Sequence, residues 1–377
     1  MQSVFLARVG ADWLPVVLLS RAIGLPILAA LYARLARDRS PRAVLAVLAV
    51  LAAGSSACAW WLMGIGSAGA IAAYAMHEIA AGLLTVHWGV YLLAGLGGEA
   101  ALRGVGLVYA GARFGAAAGG AAIVWVATAA GAQSGMFVVC GALLALAVLS
   151  AGSRVVGPRR SLPPPSAPSP ASLRRRWTLA RSPLLVAIVA STITMVGVRF
   201  LLRYQQQAVL DGIEEASLAR LLGGYVVAAN LFTALLSAVL MGRVLPRIGL
   251  PGANTAYAVA VAGAQIALLV IPGVPAALFA RFADGELKHG LKTPVSSLFY
   301  EAFPPAARAG ARAVVLGAAS PAAQAAGALL VAAVVAGASL LAAGAIGLGF
   351  CAVFAVATVA QNRRWRDSLA ANRGTEG

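Results

Sequence analysis

A chain of 377 residues with a formal net charge of +17 is 61% hydrophobic and only 11% charged. A mean hydropathy of +0.87 lies far outside the range of water-soluble domains and excludes an ordinary soluble fold. The basic excess does not point to nucleic acid, because the arginines fall in short clusters between apolar runs and not on one basic domain with stacking aromatics.

Apolar runs of about 20 residues, the length that crosses a bilayer as helix, predict an all-α polytopic membrane protein with eleven spans. Five come first: Trp13–Ala36, Ala43–Ile65, Ala68–Leu93, Gly104–Ala130 and Met136–Ser153. The first holds Arg21 and Pro26 and is longer than a signal-peptide core, so it is expected to be retained. A polar break over 157–182, with LPPPSAPSPAS followed by RRR, is too rich in proline and serine to pack and reads as an extended linker. Six spans follow: Pro183–Gln207, Leu221–Leu245, Ala253–Ile271, Pro275–Phe299, Ala313–Val335 and Ser339–Ala360. The expected organisation is therefore a bundle over 1–156, the linker, a second bundle over 183–360 and a short tail over 361–377.

Every second loop is basic. Arg34, Arg37, Arg39 and Arg42 follow the first span, Arg103 the third, Arg154, Arg159, Arg160 and Arg174–Arg176 the fifth. Arg243 and Arg247 follow the seventh, Arg308 and Arg312 the ninth, and Arg363, Arg364 and Arg366 the last. Basic loops face the cytoplasm, so the pattern predicts a multi-pass protein of the cytoplasmic membrane with its C-terminus inside and its N-terminus outside. Cys58, Cys140 and Cys351 each lie in an apolar run and read as small core residues, with neither a disulfide framework nor a metal site.

The ninth span is the exception to all this greasiness. ARFADGELKHGLKTPVSSLFYE holds the only two lysines of the chain, Lys288 and Lys292, with Arg281, Asp284, Glu286 and His289. At 100° per residue Arg281, Asp284, Lys288 and Lys292 share one helical face while Glu286 points elsewhere. Charge inside a membrane is costly and is expected to line a protein interior or a wet cavity. The alternative is that Asp284 neutralises its i−3 and i+4 neighbours and only fixes packing.

Two halves echo one another. LYARLARDRSPRAVL is matched by LMGRVLPRIGLPGAN, and LLTVHWGVYLLAGLGGEAALRG by LKTPVSSLFYEAFPPAARAGAR, which suggests two related bundles about an axis along the membrane normal. RLARDRSPR resembles the basic, Asp-containing loop between the second and third helices of the major facilitator superfamily, with Ala33 where a glycine is expected. FLARVGADWLP at 5–15, GLVYAGARFGAAAGG at 106–120, RYQQQAVL at 203–210 and the charged stretch at 281–313 resemble bacterial members of the ATP/ADP translocase family of nucleotide transporters. That resemblance implies twelve helices, with the FLARVGADWLP-like stretch in the external loop between the first two. Since that stretch stands at the start here, either a start assigned too late or an eleven-span variant is expected, with a nucleotide or related phosphorylated solute.

Other intramembrane charges complete the candidate solute site. Arg21 and Glu78 lie at matching depth in spans one and three, as a gating or a static pair; Arg113 lies near the middle of span four among glycines and alanines; Arg199 is deeper in span six than Arg203. His77 and His289 are candidates for proton coupling, with hydrogen bonding to a neighbour as the alternative; His87 shares their segments. The expected function is a secondary transporter working by alternating access on a small anionic solute, because fixed cations in a low-dielectric cavity attract anions. A coupling ion or proton remains an open further partner. A non-transporting membrane partner or sensor, and a proton-coupled exporter of organic cations, are the competing readings. No Walker A loop, HExxH, GxSxG or Cys/His cluster is present, so neither an enzyme nor a cofactor is expected.

Overall fold

A computed structural model describes every residue except 37–38, 96–98, 153–181, 240–244, 304 and 375–377. The expected linker, apart from Ser182, and Arg37, Arg154, Arg159, Arg160, Arg174–Arg176 and Arg243 lie outside the described residues. Among those described there is no strand, and ten helices are long and apolar enough to cross a membrane. The protein is an integral, multi-pass, all-α membrane protein.

In chain order the helices are α1 (Gln2–Val9), α2 (Leu14–Ala36), α3 (Pro41–Met63), α4 (Ser67–Gly95), α5 (Glu99–Ala130), α6 (Gly135–Gly152), α7 (Pro183–Leu210), α8 (Glu215–Val239) and α9 (Leu245–Val270). Then come α10 (Val274–Phe282), a π-helical segment at Ala283–Lys292, α11 (Thr293–Phe299), α12 (Pro305–Val314), a second π segment at Val315–Ala319, α13 (Ser320–Gly337) and α14 (Leu340–Gly374). The expected ninth span is thus helical from Val274 to Phe299 but is not among the ten apolar helices. Five charged side chains within it exclude it on composition.

Local chemistry sets the ends. Ser40 caps α3 by accepting from the Ala43 amide, with Pro41 at the first helical position, where its missing N–H costs nothing. Gly10 and Gly131 have φ of 88° and 85°, and each opens a single 3₁₀ turn leading into the next long helix. Within α9, Gly249 breaks the helix at φ 66°, two residues before Pro251.

The side chains are distributed as a bilayer demands. Alanines such as Ala49, Ala59, Ala73, Ala253 and Ala277 are fully buried, whereas Trp125, Val148, Leu149, Ile271 and Val356 are exposed by 70% or more. Small residues at helix contacts let backbones approach when no hydrophobic effect drives helix against helix. The cysteines depart from expectation: Cys351 is buried, but Cys140 is half-buried and Cys58 exposed, because its position on α3 faces outward.

Two compact units divide the chain. The first comprises Met1–Ser161 with Leu210–Ala234, the second Leu162–Val209 with Leu235–Gly377. In the first, α3 packs along both α4 and α6, and α2 along α4. Leu210–Ala234 is fastened there by several contacts. Arg8 Nε donates to Glu215 at 2.8 Å, the Ala11 amide donates to Asp211 at 3.2 Å, and a Cβ on Gly120 of α5 would meet the Gly223 carbonyl of α8 at 3.0 Å. In the second unit α9 lies along α14, and the charged π segment contacts α9.

Candidate functional site

Within the first unit, Arg21 on α2 donates from Nη1 to Glu78 on α4 at 2.7 Å. The two side chains are 31% and 15% exposed, so the pair is largely withdrawn from its surroundings. Arg21 Nε is buried and has no hydrogen-bond partner. Arg113 on α5 donates to Asn230 Oδ1 on α8 at 3.0 Å. Asn230 gives its own amide hydrogen to the Val226 carbonyl, which leaves its oxygen turned toward the guanidinium.

His87 has a settled structural role. It is 1% exposed, and its Nε2 lies 2.8 Å from the Pro41 carbonyl. A carbonyl only accepts, so Nε2 carries the hydrogen and Nδ1 accepts from the Tyr32 hydroxyl at 2.8 Å. One ring therefore staples α2, the start of α3 and α4 together. Neither ring nitrogen is left over for chemistry. His77 is partly buried and His289 exposed, each with further interactions of its own.

Within the second unit, Arg199 on α7 donates from Nε to Asp284 of the π segment, side chains 20% and 13% exposed. Asp284 therefore engages a cation on another helix in addition to whatever its own segment offers. Arg281 and Lys288 are partly buried and also take part in interactions.

Lys292 is the most enclosed of the four residues expected on one charged face. It is 4% exposed, its Nζ donates to Asn254 Oδ1 of α9, and the rings of Tyr257 and Phe354 lie 6.0 and 5.6 Å away. Ala283–Lys292 is wound as a π-helix with i→i+5 bonds, within which Asp284 turns to Arg199 of α7 and Lys292 to Asn254 of α9. Lys292 is thus buried among α9 and α14 within its own unit.

The orientation of that polar network follows from its far end. Asn362 on α14 donates from Nδ2 to the Pro251 carbonyl at 3.1 Å, which fixes its oxygen toward Asn254 Nδ2, 2.9 Å away. Asn254 must then present its oxygen, and a donor is needed there. Sequence reasoning missed Asn230, Asn254 and Asn362, and also the buried amide pair of Gln205 and Gln265, whose Nε2 to Oε1 distances are 2.9 and 3.3 Å. The signal was available as uncharged amides inside apolar runs. Attention to formal charge alone passes over them.

A cavity of about 460 Å³ in the first unit lies among α2, α3 and α4, lined by Leu28, Ala52, Met76, Ile79 and Leu83 among others. It is apolar, and none of the candidate charged residues lines it. Among the described residues no group of His, Cys, Asp and Glu is placed to hold a metal ion.

Fold and site together define a multi-pass membrane protein in which Arg21, Arg113, Arg199 and Lys292 are each held by a partner on another helix. No family model matches the chain, and no curated protein matches it.

Proposed function

We propose that this protein is a secondary active transporter of the major-facilitator type, carrying a small anionic solute across the cytoplasmic membrane by alternating access, with nucleotides or other phosphorylated metabolites as the solute class. The observation that carries the reading is Arg21, whose Nη1 is matched by Glu78 while its Nε–H is buried without an acceptor. A guanidinium presents a planar fork suited to carboxylate or phosphate oxygens. A pair kept only for packing would be expected to satisfy that buried donor.

Arg199 with Asp284 supplies the same chemistry in the second unit. In each case the carboxylate holds the arginine until a solute oxygen replaces it, so no step strips a lone cation of its counter-charge. Glu78 and Asp284, each spent on an arginine, count against an exporter of organic cations. The membrane partner or sensor draws its support from the hydrogen bond of Lys292 to Asn254, which ties the charged segment to α9.

Uptake of α-³²P-labelled ATP into proteoliposomes, with glucose 6-phosphate and tetraphenylphosphonium as competing probes, tests the proposal. Saturable uptake of a phosphate probe is expected, reduced at least about tenfold, or about 1.4 kcal/mol, in Arg21→Gln and in Arg199→Gln. A well-folded protein that moves neither phosphate probe would leave the sensor reading in its place.

A further inference from the structure

We propose that Lys292 is the residue that takes up and releases a coupling proton, so that solute movement is tied to a proton gradient. This rests on the transporter reading above and names its coupling ion. Lys292 is 4% exposed on a segment flanked by membrane-spanning helices, and its one hydrogen-bond acceptor is the neutral Asn254 Oδ1. No carboxylate lies within ion-pair distance of it among the described residues. A buried ion pair would have fixed the ammonium permanently; one amide oxygen and two ring faces do not.

The site serves the amine in both of its states. Asn362, anchored on the Pro251 carbonyl, orients Asn254 so that an oxygen faces Nζ, and one N–H satisfies that oxygen whether the nitrogen carries two hydrogens or three. On protonation the nitrogen lone pair takes H⁺ from water and becomes ammonium, and the rings of Tyr257 and Phe354 receive the charge. On release the proton returns to water, and the hydrogen bond to Asn254 stays.

A second observation points the same way. Tyr257 Oη, Thr358 Oγ1 and Gln361 Oε1 are buried without hydrogen-bond partners. Phe354, Thr358 and Asn362 recur at intervals of four along α14, and Gln361 adjoins them, so these groups share the face that meets Lys292 and Asn254. Polar atoms left open beside a buried amine suit a proton relay, whereas a purely structural contact would be expected to close them. The groups facing Lys292 are Asn254 and Tyr257 from α9 and Phe354 from α14, with Asn362 reached through Asn254. Arg199 of α7 and Asp284 of the π segment, which pair with one another, act electrostatically on Tyr257.

Because the chain has only two lysines, the full-length protein labelled with ¹³C-lysine in lipid nanodiscs gives two side-chain signals, and Lys288→Arg leaves that of Lys292 alone. Its Cε resonance is expected to move with pH across the physiological range. A resonance fixed at the ammonium position throughout would overturn the proposal while leaving the transporter reading intact. In proteoliposomes loaded with pyranine, proton movement accompanying ATP uptake is expected in the wild type and to fall at least about tenfold in Lys292→Met. Lys292→Arg keeps a donor for Asn254 and covers failure of the methionine variant to fold. Proton movement unchanged in the variants that fold also overturns the proposal. A wild type that moves no phosphate probe removes the transporter reading, and the coupling role with it, even where Lys292 titrates.

Discussion

Arg199 and Asp284 are each largely withdrawn from their surroundings, and each depends on the other for its counter-charge. Removing one partner leaves a buried charge uncompensated, which costs about 3–5 kcal/mol where the pair is fully buried, whereas replacing both removes that penalty. Arg199→Met and Asp284→Asn are therefore expected to lower stability against denaturant in nanodiscs, and the double variant to recover most of the loss. Two single losses that simply add would show that the residues do not act as a pair. Asn254→Leu removes the one hydrogen-bond acceptor of Lys292 and frees the Asn362 oxygen, at a cost of about 1–3 kcal/mol by the same measurement. At this scale the charged positions were legible from their cost in a membrane. Their partners were not, since Arg199 meets Asp284 across 85 positions and Arg113 meets Asn230 across 117.

Helical elements were read well wherever composition and length decide. Ser40–Pro41 marks the start of α3, and Gly131 ends one membrane helix and opens the turn into the next. The π winding of Ala283–Lys292 was not legible, because a single sequence does not announce a change from i→i+4 to i→i+5 bonding. Glycine spacing is more open to test. Gly120 and Gly223 bring α5 and α8 together inside the first unit; a Cβ on Gly120 would also meet Val226 Cγ1 at 3.0 Å. Gly120→Leu is expected to cost about 1–3 kcal/mol through overpacking, read as a lowered unfolding temperature in nanodiscs. The same change at Gly119, where a Cβ would meet nothing within 4 Å, should cost far less.

For the molecule as a whole, the alternation of basic and non-basic loops makes a prediction about orientation. The end bearing Arg363, Arg364 and Arg366 should lie on the cytoplasmic side together with the loop holding Arg39 and Arg42. A C-terminal fluorescent-protein fusion should therefore fold and emit, and a phosphatase fusion at the same point should be inactive; the reverse pair of results would refute the orientation. Composition, hydropathy and loop charge by themselves determined that this chain is an α-helical membrane protein, where most of its helices lie and which charges are too costly to be incidental. Each of these follows from the free energy of placing single side chains or short runs in hydrocarbon, a local quantity. Tertiary structure alone decided that Lys292 is closed in by Asn254, Tyr257 and Phe354, that Asp284 turns to Arg199 and that Leu210–Ala234 belongs with the first unit. Those outcomes depend on how segments far apart in the chain pack against one another and on the winding of one helix, and no local sum contains either.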